Sequence, residues 1–83
     1  MKIPKSKFVA GEFVRAKQDV ESQNFFQAKY YSIRAKCDLD DFMNGIYQVE
    51  QAEWWSERYV LFVCDRGKGL RFRVPERFCE FVF

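Results

Sequence analysis

Catalytic chemistry has few starting points in these 83 residues. The chain contains neither histidine nor threonine, so the most frequent general base and commonest metal ligand is missing. Cys37, Cys64 and Cys79 are the only thiols. No His is available to activate one of them as a nucleophile, and three thiols fall short of the four ligands of a structural zinc site. An odd count without CxxC spacing reads as reduced, mostly buried side chains of a reducing compartment. Asp38, Asp40 and Asp41 precede Asn44-Gly45 in the manner of a calcium loop. The twelfth position counted from Asp38 is Val49, and from Asp40 it is Gln51, so the closing bidentate Glu is absent and these acids read as solvated. Glu50, Glu53 and Glu57 have no diagnostic spacing for paired-carboxylate hydrolysis. Gly67-Lys68-Gly69 sits inside a hairpin, not between a strand and a helix, and is no phosphate cradle. The residues point away from an enzyme and name no cofactor or metal.

Binding is better served. Arg71 and Arg73 project from one face of an alternating strand whose other face carries Leu70, Phe72 and Val74. Lys68 and Arg77 lie close by in sequence, and together these cations form a basic platform for acidic side chains or phosphate. Trp54 and Trp55 are adjacent, so on a strand they face opposite ways. One enters the core, and the other is left outside or beneath residues 18–28. An exposed Trp beside Glu53 and Glu57 is an anchor for a protein interface, where Trp and Arg are enriched as hot spots. The expected contact residues are therefore Trp54, Trp55, Lys68, Arg71, Arg73 and Arg77, meeting a partner protein. The alternative is a nucleic-acid-binding barrel using Lys68, Arg71, Arg73 and the lysines at 2, 5 and 7, with Tyr30, Trp54 or Phe72 stacking on bases. Charge is uneven along the chain, at +4 over residues 1–17, −4 over 18–64 and +3 over 65–77. That pattern excludes an acidic DNA mimic and supports nucleic-acid binding only weakly.

The elements that must hold these residues are strands. Eighty-three residues make one domain, and ten Phe, four Tyr and two Trp supply the large buried surface that so short a chain needs. Alternation marks strands at 12–16, 29–37, 46–50 and 70–74, while 58–64 is apolar on both faces, as in a central strand. Asp65 to Gly69 is a hairpin loop, Pro75 to Phe78 a short helical turn, and 79–83 a last strand that closes the sheet or pairs with a second copy. Residues 18–28 read as a long loop, with a short helix over 21–28 as the alternative. Residues 1–10 form a flexible arm. Five or six short antiparallel strands suit a mainly β, SH3-like barrel, with an OB-like barrel second. The lysines at the start are followed by an apolar stretch broken at Glu12, which excludes a signal peptide. The longest apolar run, Tyr59 to Cys64, is too short to span a bilayer, so a cytoplasmic location is expected.

From Cys37 to Phe83 the chain resembles a loose class of small phage and bacterial proteins with SH3-like barrels. The shared spacing is Cys37-Asp38, then Gly45, Tyr47 and Val49, then Tyr59 and Leu61, Asp65 and Gly67, and finally Val74, Pro75 and Phe78. The resemblance implies a phage or mobile-element accessory protein that binds and inhibits a host enzyme or defence protein in the host cytoplasm. A fainter likeness, to SH3 domains proper, rests on Trp54-Trp55 followed by Val74-Pro75 and Phe78. It implies a groove for proline-rich peptides at Trp54, Pro75 and Phe78.

Overall fold

Asp19 starts the first helix. Its extended backbone lets the side-chain carboxylate accept the Ser22 amide at 2.7 Å, and that hydrogen bond holds the Asp19 carboxyl below its ordinary range. In the computed structural model, which describes residues 2–82, helix α1 then runs Val20–Ile33 and ends where Arg34 turns left-handed at φ 51°. This overturns both the loop expected over 18–28 and the strand expected over 29–37. Two periodicities overlap in the segment. Helical spacing prevails because Phe26, Tyr30 and Ile33 share one face and Phe26 reaches 1% exposure in the core. Tyr31, inward on the strand reading, is 63% exposed.

A second, shorter helix, α2 (Leu39–Met43), is capped by Asp38, whose carboxylate accepts the Asp41 amide at 2.8 Å. That acid, expected to be solvated, caps a helix through Oδ1. Phe42 is fully buried, and its carbonyl accepts the Tyr47 hydroxyl at 2.7 Å. Gly45 is needed at the exit of α2 for space: a Cβ there would lie 2.9 Å from the Tyr47 oxygen.

Five strands follow the expected order with altered bounds. They are β1 (Phe13–Ala16), β2 (Tyr47–Trp55), β3 (Arg58–Asp65), β4 (Leu70–Pro75) and β5 (Cys79–Phe81), with a 3₁₀ turn at Glu76–Phe78 between the last two. All pairings are antiparallel, in the order β4-β3-β2-β1-β5. The sheet is therefore open. Its ends are β4 and β5, and the closed cylinder expected of the strands is not formed. In its place α1 packs on the inner face, with the Phe26 ring 6.0 Å from those of Phe42 and Phe72. The core is completed by Val14, Val49, Leu61, Val63, Val74 and Cys79. The β2–β3 register shifts between Val49 and Gln51, a bulge that bends the long strand; β2 pairs with β3 from Gln48 to Trp55 and with β1 at Tyr47 and Gln48.

The leading segment lies along this body. Phe8 is fully buried, 4.6 Å from the Phe81 ring, and the Ser6 hydroxyl and Lys7 amide both donate to Glu76. Phe81 pairs with Val14, whereas Phe83 lies outside the described residues. Cys64 and Cys79 are buried, Cys37 is half-buried, and all three are free thiols. Among the described residues no helix is long and apolar enough to cross a membrane.

Candidate binding face

Strand register decides which side chains meet. After the register shift, Trp55 sits opposite Arg58 and Gln51 opposite Phe62, while Phe62 is also opposite Arg73. Trp55, Phe62 and Arg73 therefore share the outer face of the sheet. The Trp55 and Phe62 rings meet edge to face at 6.2 Å, and the Arg73 guanidinium lies 5.3 Å from the first centroid and 5.8 Å from the second. Trp55 Nε1 donates to Glu53 Oε2 at 2.8 Å, and the other Glu53 oxygen accepts from Gln51 at 2.9 Å. Trp55 is thus held at its nitrogen and packed on its ring, yet remains 41% exposed.

Helix α1 reaches the same edge of the sheet. Lys29 lies over the Phe25 ring at 5.5 Å, and both residues stand beside Arg73 across a trough with two basins. One basin, about 440 Å³, is bordered by Ile33, Glu50, Phe62 and Arg71. The other, about 380 Å³, is bordered by Phe25, Trp55, Arg58 and Pro75. Lys29 and Arg73 border both. Glu50 pairs with Arg71 at 3.7 Å. Among the described residues Lys29, Arg58 and Arg73 form no ion pair. Burial, with Arg73 nearby, lowers the Lys29 ammonium from its usual pKa.

Of the six residues singled out in the sequence, the fold brings Trp55, Arg71 and Arg73 together. Trp54 falls on the opposite face, 5.0 Å from the Tyr59 ring, in a groove that it shares with Pro75 and Arg77. The chain's own Pro4 and Lys5 also border that groove, and the Pro4 carbonyl accepts the Tyr59 hydroxyl at 2.6 Å. Phe78, the third residue of the proline-peptide likeness, is buried. Arg77 stacks on Phe78 at 4.7 Å. Lys68 is remote at the β3–β4 hairpin, held by Asp65 at 3.5 Å and by the Asp41 carbonyl at 3.3 Å. Lys29, Arg58 and Phe25 were not legible as site residues. Lys29 and Phe25 depend on α1 being a helix, and Arg58 on a tight turn at Ser56-Glu57.

Chemically the face offers cations and flat apolar surface. Among the described residues no three His, Cys, Asp or Glu side chains converge as a metal centre requires. Searches against protein-family models, curated proteins and solved structures find no match for this chain.

Proposed function

We propose that the protein is a non-enzymatic binding module that docks onto a partner protein through the outer face carrying Trp55, Arg71 and Arg73. The observation behind this reading is the state of Trp55: two-fifths exposed, yet already fixed by Glu53, Phe62 and Arg73. A pre-fixed aromatic offers large contact area at small entropic cost, and Trp and Arg are the residue types enriched in interface hot spots. The strand order, the bend in β2 and the 3₁₀ turn leading to β5 support an SH3-like barrel, rolled but unclosed. The resemblance of residues 37–83 to small phage proteins supports a phage or mobile-element accessory role in the host cytoplasm. There the module, as monomer or homodimer, inhibits a host or defence protein by covering its working surface.

Affinity capture from host lysate tests the reading. Wild-type protein should retain a discrete partner at about 0.5 M salt, where binding to a nucleic-acid polyanion is largely lost. Trp55→Ala should reduce recovery by roughly 30-fold, the equivalent of a hot spot of about 2 kcal/mol, with Trp54→Ala as the control on the other face. Equal recovery by wild type and Trp55→Ala refutes the docking face. The unpaired Lys29, Arg58 and Arg73 favour nucleic acid as the second reading, which nuclease-sensitive and steeply salt-dependent retention would select.

A further inference from the structure

The smaller basin of the trough is lopsided in composition. Phe25, Lys29, Trp55, Arg58, Arg73 and Pro75 line it with three cations, two aromatic rings and, among the described residues, no carboxylate. These residues come from α1, from both ends of the β2–β3 turn and from β4, so the fold, not sequence proximity, collects them. We infer that this basin is a receptor for a phosphate monoester carried on a flat ring. The inference rests on the docking reading above and deepens it by naming the group that the face accepts.

Three observations carry it. First, two of the cations are positioned by rings and not by acids: Lys29 over Phe25 at 5.5 Å, and Arg73 over Trp55 at 5.3 Å and Phe62 at 5.8 Å. A guanidinium held beside aromatic rings and outside any ion pair keeps N–H groups free for the fork that phosphate oxygens accept. Second, Lys29 and Arg73 are like charges brought together while Lys29 is partly desolvated. A dianion between them relieves that repulsion more fully than a single carboxylate does. Third, the basin's 380 Å³ falls within the span of small-molecule pockets, roughly 300–1,000 Å³, and is far larger than a bare phosphate fills. The rest of the space is walled by Trp55, Phe25 and Pro75, which suits a planar apolar carrier. The neighbouring basin is the poorer anion site because Glu50 already occupies Arg71 at 3.7 Å.

The test uses the full chain with Trp54→Phe, which leaves Trp55 as the only indole and makes its fluorescence report on the basin. Phenyl phosphate should change the emission saturably, and bind at least about tenfold more tightly than inorganic phosphate, while phenol gives no saturation. Lys29→Gln and Arg73→Gln, both at the surface, should each weaken phenyl phosphate by about tenfold or more. Arg71→Gln, on the other basin, should change it by less than about twofold. No saturation by about 10 mM phenyl phosphate, or equal losses in all three variants, overturns the receptor. Adenosine monophosphate and a phosphotyrosine tripeptide separate the sources of the shared chemistry. Tighter binding of the peptide supports the receptor as part of a protein-docking face. Tighter binding of the nucleotide supports the receptor but assigns it to a free ligand. Loss of lysate capture in Trp55→Ala with no phenyl phosphate binding overturns the receptor and leaves the docking reading standing.

Discussion

Replacing Phe26 by alanine removes the ring through which α1 enters the core, and with it the support for Lys29, which follows within one turn. Phe26 is 1% exposed, and its ring lies 5.9 Å from Phe25 and 6.0 Å from both Phe42 and Phe72. Truncating a buried Phe costs about 3–5 kcal/mol. Alanine's better helix propensity returns about 0.5 kcal/mol in the middle of α1, and the helix is free to settle partly into the vacated space, so a net loss of about 3 kcal/mol is expected. At roughly 0.05–0.15 kcal/mol per residue, an 83-residue domain has a total stability of about 4–12 kcal/mol. The variant is therefore folded only marginally at the lower end of that range. Urea unfolding followed by both tryptophan fluorescence and far-ultraviolet circular dichroism measures the loss, expected as a midpoint lower by about 1–3 M. Phe26→Leu, which keeps most of the volume, should lose less than about 1.5 kcal/mol. If Phe26→Ala costs under about 1 kcal/mol, the ring is not in the core. The placement of α1, and the trough it makes with β4, would then fail together.

Further expectations concern other parts of the structure. Tyr59→Phe removes the bond to the Pro4 carbonyl; it should cost only about 0.5–1.5 kcal/mol but speed tryptic cleavage after Lys5, and an unchanged cleavage rate refutes the docked leading segment. Ser56 and Glu57 both adopt positive φ, 47° and 69°, in a two-residue hairpin that favours Asn-Gly. Relief of that strain makes Glu57→Gly more stable by about 0.5–1 kcal/mol despite glycine's added chain entropy, read as a rise in Tm. Burial, aided by Glu76, pushes the Cys79 thiol up to about 12. A raised native pKa means that its contribution is complete below the unfolded value of roughly 8.5 and is lost as pH rises from there toward the native value. Between pH 8 and 10 wild-type stability should therefore fall by about 2 kcal/mol more than that of Cys79→Ala. Equal slopes in urea titrations at the two pH values would refute it.

How much of this was readable in the sequence depends on how many periodicities a segment carries. The β3–β4 hairpin is legible because Leu70, Phe72 and Val74 alternate with Arg71 and Arg73, and Gly67 and Gly69 punctuate the loop. Arg71 and Arg73 are accordingly found exposed, as alternation requires. Residues 25–33 are ambiguous because the doublets Phe25-Phe26 and Tyr30-Tyr31 place an aromatic ring at both strand and helix spacing. A cap at Asp19 and the need to cover the inner face of the sheet settle the matter, and neither shows in a count of alternations. The second half of β2 is missed for a different reason: its turn uses Ser56-Glu57, residues that give no turn signal and enter the left-handed region under constraint from the paired strands. Half of the candidate site inherits these ambiguities. Arg71 and Arg73 belong to legible alternation and Trp55 stands out as one of two adjacent tryptophans, while Lys29 requires α1 and Arg58 requires that turn.

Charge shows the same separation between sequence and space, and bears most directly on function. Lys29 and Arg58 belong to the stretch whose net charge is −4, so a tally along the chain hides them among acids. In the fold four of those eight acids have partners other than these cations. Asp19 and Asp38 cap helices, Glu50 faces Arg71, and Glu53 is bound by Trp55 and Gln51. Exposed ion pairs contribute little to stability, about 0–1 kcal/mol each, so folding exerts no strong demand that Lys29 or Arg73 find a carboxylate. Stacking on rings, worth a comparable amount per contact at such sites, fixes them equally well and leaves their hydrogen-bond donors unspent. A surface built that way is ordered before any ligand arrives and still short of acceptors. That combination is what an acidic partner group needs, and an acid introduced at Ser56, beside Trp55 and Arg58, would compete with the ligand for the same donors.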